Sequence, residues 1–106
     1  MPAKLKTLAE RLKWARNQAR ISQRALARAA QLKSERHVGQ FESGERDNPE
    51  LKTLQALADA LGLSIGWLAN GDGEMPEAQA VQAAAILALK EVGEEWSPTD
   101  EHKGAA

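Results

Sequence analysis

Apolar residues recur every three or four positions along most of the chain, a spacing that places them on one face of an α-helix. The first run lies within residues 5–19 and contains aliphatic and small residues: Leu5, Leu8, Leu12, Ala15 and Ala19. Basic side chains occupy the other faces of this segment. We therefore predict an amphipathic first helix with a basic outer surface.

Two shorter helices are predicted to follow. Ser22 is suited to N-cap a helix over roughly residues 22–30. Ser34 is suited to N-cap a third helix over roughly residues 34–43, and Gly44 stands where a glycine C-cap is expected. The first half of the chain therefore predicts three helices.

The second half predicts three more helices. Asn48 and Pro49 have the pattern of an N-cap and a first helical position, and Gly62 ends the apolar run that follows. Ser64 is expected to cap a short fifth helix. An alanine-rich sixth helix is predicted over roughly residues 76–92.

The composition agrees with an all-α fold. The 106 residues are enough for one small domain. They include 20 Ala, one Phe and no Tyr, and Leu, Ile, Val and Phe together number 20. Alanine favours helix, whereas β-branched and aromatic residues favour strands. We expect a small helical core.

The net charge of −1 conceals a strong asymmetry. Residues 1–46 hold 11 Lys and Arg against 4 Asp and Glu, a balance of +7. Residues 47–106 hold 3 Lys and Arg against 11 Asp and Glu, a balance of −8. A basic half of this kind indicates contact with nucleic acid or a membrane surface.

Several classes of protein are disfavoured. The chain has no Cys, so it has no disulfide framework and no zinc–thiolate site. His37 and His102 are far apart, and no paired-carboxylate or phosphate-loop pattern stands out. We expect no enzyme, no cofactor and no metal. No apolar run approaches the ~18–20 residues of a membrane span, and no signal peptide is evident, so we expect a cytoplasmic protein.

Residues 21–44 carry the functional signal, because they predict two short helices separated by a tight turn. In a helix-turn-helix, the first of these helices crosses the phosphate backbone and the second enters the major groove. We expect Leu26, Leu32, Val38 and Phe41 to bury the inner faces. That arrangement leaves the polar side of the second helix to face DNA.

The segment from Leu8 to Gly71 resembles the phage-repressor and Cro-type helix-turn-helix family, also called the xenobiotic-response-element family. The matching motifs are Ser22-Gln23 before Leu26-Ala27, Phe41-Glu42-Ser43-Gly44, Leu54-Ala58-Leu61-Gly62-Leu63 and Ser64-Ile65-Gly66-Trp67-Leu68-Ala69-Asn70-Gly71. The resemblance implies a lambda-repressor-like bundle of five helices that binds operator DNA as a dimer. The C-terminal helix is additional to that bundle.

The chain departs from the family pattern in the turn. The stretch between Ala27 and Val38 is one residue longer than the common pattern, and Gln31 falls where glycine is usual. Gly39 lies inside the predicted recognition helix, where glycine costs about 1 kcal/mol relative to alanine. We expect Gly39 to allow close approach of DNA or of a neighbouring helix.

The resemblance places the DNA-binding residues around the turn. They are Arg16, Ser22, Gln23, Lys33, Ser34, Glu35, Arg36, His37, Gln40, Ser43 and Arg46. The fork of Arg36 fits guanine O6 and N7, and Gln40 could read adenine. Gln23 is expected to reach a phosphate. His37 would donate to a base or phosphate or remain idle, and Glu35 would accept from cytosine N4, pair with Arg36 or remain solvated.

Two further expectations concern charges. The resemblance pairs Arg16 with Glu42 in a partly buried ion pair that orients the arginine towards a phosphate; the alternative is two independent surface charges. It also implies phosphate contacts in the loop that contains Arg46. The remaining basic side chains form an electrostatic pool: Arg11, Lys13, Arg20, Arg24 and Arg28.

We predict a DNA-binding domain over residues 1–73, a C-terminal helix over 74–96 and a disordered polar tail over 97–106. The apolar stripe of the sixth helix would pack on the domain core or meet a second copy, and we favour dimerisation. Trp96 would pack back on the core or contact a partner chain.

The sequence predicts a sequence-specific transcriptional regulator, most simply a phage- or prophage-style repressor in the bacterial nucleoid. A homodimer would cover a palindromic operator on double-stranded DNA and block polymerase. One alternative is an antitoxin or anti-repressor module whose acidic C-terminal part binds a protein partner. Another is a non-specific nucleic-acid binder. We expect Glu91, Glu94 and Glu95 to weaken binding to random DNA.

Overall fold

The computed structural model describes residues 5–46 and 48–98, which form six α-helices and no β-strand. The helices are α1 (Leu8–Ala19), α2 (Gln23–Ala29), α3 (Glu35–Ser43), α4 (Leu51–Leu61), α5 (Ile65–Asn70) and α6 (Ala78–Glu91). The predicted all-α bundle of five helices with an additional C-terminal helix is confirmed. The predicted disordered tail falls largely on residues 99–106, which lie outside the described residues together with His102.

Three helices begin at side-chain caps. The hydroxyls of Ser22 and Ser64 each accept from the backbone N–H three residues on, at 3.0 and 3.1 Å, as their positions predict. α1 begins at a capping box in which Thr7 and Glu10 exchange hydrogen bonds of 3.1 Å. The Glu10 carboxylate accepts from the backbone N–H groups of Lys6 and Thr7, and these bonds hold the pKa of Glu10 below its usual value.

The starts of α4 and α6 differ from the prediction. Asn48 and Pro49 do not form the first positions of α4, because Glu50 still has extended backbone with ψ 151°. At α6, Pro76 is followed by Glu77 with ψ 138°. Each helix therefore begins two residues beyond its proline, and proline marks the approach to the helix instead of its first turn.

The core lies where α1, α2, α4 and α5 meet. Its fully buried side chains are mainly leucines: Leu12, Leu26, Leu57, Leu61 and Leu68. Trp67 is 5% exposed and belongs to the same core. Trp14 is half-buried and meets Trp67 edge to face, with ring centroids 5.8 Å apart. The two indoles join α1 to α5.

One stripe of α6 packs on this core. Val81, Ala85 and Leu89 are buried against α1, α2 and α4. Ile86 and Leu87 lie on the outer side and are 37% and 57% exposed. The apolar stripe therefore packs on the chain's own core, which is the alternative to the favoured dimerisation, and the helix keeps an exposed apolar outer face.

The end of α4 fits closely against α6. Gly62 follows α4 with φ 66°, in the left-handed region that favours glycine. A Cβ added there would lie 2.7 Å from the Cβ of Ala84. Glycine is therefore needed at this position both for its backbone angle and for the approach of α6.

The C-terminal segment, residues 93–98, turns back over the first two helices. The indole Nε1 of Trp96 donates to the carbonyl of Ala19 at 3.0 Å. This carbonyl belongs to the last turn of α1, where backbone acceptors lack helical partners. Trp96 is half-buried on the chain's own core, which is one of the two predicted outcomes for this residue.

Candidate nucleic-acid interface

The turn between α2 and α3 is built around a left-handed glutamine. Gln31 has φ 58°, and its N–H donates to the Arg28 carbonyl at 3.0 Å. The N–H of Leu32 donates to the Ala27 carbonyl at 2.8 Å, which completes a Schellman motif. Glutamine thus occupies a left-handed conformation that favours glycine, at a cost of about 1–2 kcal/mol.

The two helices bury their inner faces as predicted. Leu26 and Val38 are fully buried and Phe41 is 3% exposed, while Leu32 is half-buried against the core. On the other side, the end of the turn and the first turn of α3 are exposed: Lys33, Ser34, Glu35 and Arg36. The recognition helix therefore presents a polar N-terminal face to solvent.

Three predicted residues meet behind this face. Both oxygens of Glu42 accept from Arg16, from Nε at 2.6 Å and from Nη2 at 3.1 Å. Gln23 Nε2 donates to Glu42 Oε1 at 3.1 Å. The predicted ion pair is confirmed, and it links α1, α2 and α3 through one carboxylate. The two charged side chains are each 4% exposed, so the pair is more deeply buried than expected.

Arg16 faces the interior of the fold. Its Nη1 donates to the Ile21 carbonyl at 2.8 Å, and the residue is 3% exposed. The expected orientation of this guanidinium towards a phosphate is therefore not what the structure shows. Arg16 holds Glu42, and Glu42 in turn holds Gln23, so the arginine positions the residues that lie nearer the surface.

Arg11 corrects the predicted electrostatic pool. It is 4% exposed and donates to the carbonyls of Leu68 and Ala69 at 2.8 Å and of Leu5 at 2.9 Å. Two of these acceptors lie near the end of α5, where a cation complements the helix dipole. Leu8 is three residues earlier, which places Arg11 at the edge of the apolar stripe and offers a sequence signal for its burial.

The remaining predicted residues occupy several different environments. The hydroxyl of Ser22 caps α2, whereas Ser34 is the N-cap residue of α3 but makes no side-chain cap hydrogen bond. Ser43 Oγ donates to the Gln40 carbonyl and accepts from a backbone N–H in the following loop. Arg46 is exposed, and its N–H also donates to the Gln40 carbonyl. Ser43 and Arg46 thus gather at the end of α3.

Residues in the middle of α3 are partly covered. His37 and Gln40 are half-buried, and the Gln40 side-chain oxygen is buried without a hydrogen-bond partner in the described parts of the chain. A Cβ at Gly39 would lie 3.4 Å from Gln23 Oε1, an ordinary contact. A methyl group would therefore fit at this position, so the packing of α2 does not require glycine, and the close approach of DNA stays a prediction.

Metal-binding and membrane-spanning features are absent from the described residues. No group of three or more His, Cys, Asp or Glu side chains could hold a metal ion there. None of the described helices is both long and apolar enough to cross a bilayer.

Comparisons with known proteins agree with this geometry. A helix-turn-helix family model matches residues 12–68. Over 92 residues, the chain is 33% identical to the HTH-type transcriptional regulator DicA of Escherichia coli, covering 87% of this chain and 67% of that protein. No solved structure matches significantly. The matched range includes α2, the turn and α3 in full. The chain belongs to the helix-turn-helix family.

Proposed function

We propose that this chain is a sequence-specific DNA-binding transcriptional regulator that acts as a repressor on nucleoid DNA. The observation that best supports this proposal is that α3 has two different faces. Glu35 and Arg36 are exposed on one face, whereas Val38 and Phe41 are buried on the other. A helix held in this way fits the major groove with its first turn towards base edges. Membership of the family, and a relative named as a transcriptional regulator, support the same function.

Base reading is assigned to the outer face of α3. Arg36 is exposed and offers a bidentate contact to guanine. Gln40 would turn its amide outward to read adenine, which would also relieve its unpartnered buried oxygen. His37 is the second candidate donor, and Glu35 accepts from cytosine or stays solvated.

Phosphate contacts are assigned to the edges of α2 and α3. Gln23 uses one amide hydrogen for Glu42, and the second is available to a phosphate oxygen. Lys33 and Ser34, at the start of α3, approach the DNA phosphate backbone. Ser43 and Arg46 approach it at the end. These contacts fix the register of the helix on the duplex without reading sequence.

A homodimer on a palindromic operator completes the proposal. Residues 1–73 bind DNA, and residues 74–96 supply the two-fold interface through the outer face of α6. Ile86 and Leu87 are exposed there, on a helix whose inner stripe is already buried. A dimer would bury this apolar area and place two recognition helices on two half-sites.

The dimer is tested by sedimentation of the full chain. Leu87→Gln should shift the protein towards monomer by weakening an apolar interface. Leu51→Gln is the matched control, because Leu51 is 70% exposed on α4. If Leu87→Gln sediments like the wild type and the control, the α6 interface is refuted.

A protein-interaction module is the second candidate function. The same outer face of α6 is followed by Glu91, Glu94 and Glu95, which suit an apolar and basic partner. In that case, a defined second protein would co-purify with the wild type in a fixed ratio, and Leu87→Gln would abolish its capture.

Selection of bound duplexes from a random pool tests the regulatory function. Two half-sites in inverted repeat are expected after enrichment. A pool that stays random while the protein still binds would instead indicate the non-specific nucleic-acid binder.

A further inference from the structure

A polar cleft of about 740 Å³ lies beside the recognition helix. Its walls include Arg24 and Arg28 from α2, and Lys33 and Ser34 from the turn and the start of α3. Glu91 from the end of α6 also lines the cleft. The cleft therefore joins the outer cations of α2 to the edge of the surface proposed to face DNA.

An anion from the chain itself contacts one of these cations. Glu94 Oε2 lies 3.1 Å from Arg28 Nη1, and the two side chains are 39% and 49% exposed respectively. A solvent-borne anion can therefore reach the same guanidinium. The hydrogen bond from Trp96 to the Ala19 carbonyl anchors the C-terminal segment two residues beyond Glu94.

Arg24 lies one helical turn from Arg28, so both project from the same side of α2. A second cleft confirms this placement, because Arg24, Arg28, Glu94 and Glu95 all line it. In the described ranges, Arg24 has no ion-pair partner. The C-terminal segment thus neutralises part of this basic surface and leaves an adjacent cation available.

We propose that Arg24 and Arg28 bind a DNA backbone phosphate, and that the Glu94 carboxylate occupies this site in cis until a duplex displaces it. The inference rests on the proposed DNA binding. In a docked helix-turn-helix, α2 crosses the backbone, so cations on its outer side meet phosphates. A backbone phosphodiester, like a carboxylate, carries one negative charge on two oxygens that suit a guanidinium, and an exposed ion pair exchanges readily.

The test compares two charge-matched variants of the full chain on a labelled random-sequence duplex. Glu94→Gln should bind about two- to fivefold more tightly than wild type at low salt, because Arg28 no longer has an anionic competitor. The slope of log K against log salt should become more negative by about 0.9, the value for one additional phosphate. The Glu74→Gln variant has the same net charge as the Glu94→Gln variant, but Glu74 does not line either cleft. Its affinity therefore gives the general effect of removing one negative charge.

The gain in duplex affinity of the Glu94→Gln variant must depend on Arg28. In an Arg28→Gln background, adding Glu94→Gln should leave the affinity and the salt slope unchanged. A gain that persists there, or a gain no larger than that of Glu74→Gln, overturns the inference. Glu94→Ala provides a second variant, and circular dichroism confirms the fold of each. A wild type that binds no duplex at low salt refutes the proposed function itself, whereas duplex binding with equal Glu94→Gln and Glu74→Gln affinities refutes this inference alone.

Discussion

Among the described residues, two ion pairs connect distant parts of the chain, and they differ in depth. Arg16 and Glu42 are 2.6 Å apart with side chains 4% exposed. Arg28 and Glu94 are 3.1 Å apart with side chains 49% and 39% exposed. Arg28 and Glu94 form the outer pair, and water can solvate either of them. Arg16 and Glu42 form the inner pair, and removal of either of them leaves a buried charge. The Arg16–Glu42 pair therefore holds α1, α2 and α3 in place. In the Arg28–Glu94 pair, another anion can replace the Glu94 carboxylate.

The inner pair also has more partners. Glu42 accepts from Gln23 as well as from Arg16, and Arg16 donates to the Ile21 carbonyl. Bidentate contacts of this kind specify orientation as well as proximity. One carboxylate thus sets the relative position of α1, α2 and α3. The outer pair joins α2 only to the C-terminal segment.

The largest expected effect follows from removing the inner carboxylate. Glu42→Ala should lower the free energy of unfolding by about 3–5 kcal/mol, because the buried Arg16 guanidinium loses its bidentate carboxylate and Gln23 loses an acceptor. Urea denaturation monitored by circular dichroism gives this value. Glu45→Ala removes an exposed carboxylate nearby and should change stability by less than about 0.5 kcal/mol. An equal loss of unfolding free energy in the two variants would show that the inner pair contributes no more to stability than an exposed carboxylate does.

The attachment of α6 provides the next test, since the C-terminal segment can exchange contacts only if α6 stays in place. Gly62→Ala should cost about 2–4 kcal/mol, from the left-handed backbone and the 2.7 Å approach to Ala84. Gly73→Ala is the matched control, because Gly73 has φ 84° and nothing within 4 Å. The difference in unfolding free energy between the variants isolates the contact with α6, and no difference would mean that α6 packs loosely.

The anchor of the C-terminal segment has a smaller effect. Trp96→Phe keeps an aromatic ring but loses the hydrogen bond to the Ala19 carbonyl. We expect a loss of about 0.5–1.5 kcal/mol in unfolding free energy. Trp14→Phe is a useful comparison, because the Trp14 indole packs edge to face on Trp67 and donates no hydrogen bond within the described residues. A Trp96→Phe protein as stable as the wild type would contradict the assigned role of the Trp96 N–H group.

The outer pair should contribute least to stability. Glu94→Gln is expected to change the free energy of unfolding by less than about 1 kcal/mol, and added salt should reduce the change further. Chemical denaturation at low and high salt measures both quantities. A loss comparable to that of Glu42→Ala would abolish the distinction between the two pairs.

The sequence predicts much of the fold because local signals agree with one another. Helical periodicity identifies all six helices, and Ser22, Ser64 and Gly62 mark boundaries that the structure confirms. The Arg16–Glu42 pair was predicted from the family resemblance and not from spacing, since its members are 26 residues apart. Contacts over that distance depend on tertiary packing.

The differences from prediction have the same origin. The charge of Arg11 predicts an exposed basic side chain, yet carbonyls of α5 that are 57 and 58 residues away accept from it. Pro49 predicts the first turn of α4 because proline suits that position, yet Glu50 has extended backbone and the helix begins after it. Charge and residue type set only local preferences. Contacts with residues distant in sequence decide whether a side chain is buried and where a helix begins.

The central claim is that the exposed face of α3 reads DNA while the buried pair supports it. The most direct measurement is the affinity of wild type and Arg36→Ala for a selected operator and for the same operator with one guanine pair changed. Lys90→Ala on α6 is the control. We expect Arg36→Ala to lose about 1–3 kcal/mol on the operator and to bind both duplexes equally. An Arg36→Ala protein that still discriminates between the duplexes as the wild type does would contradict the claim.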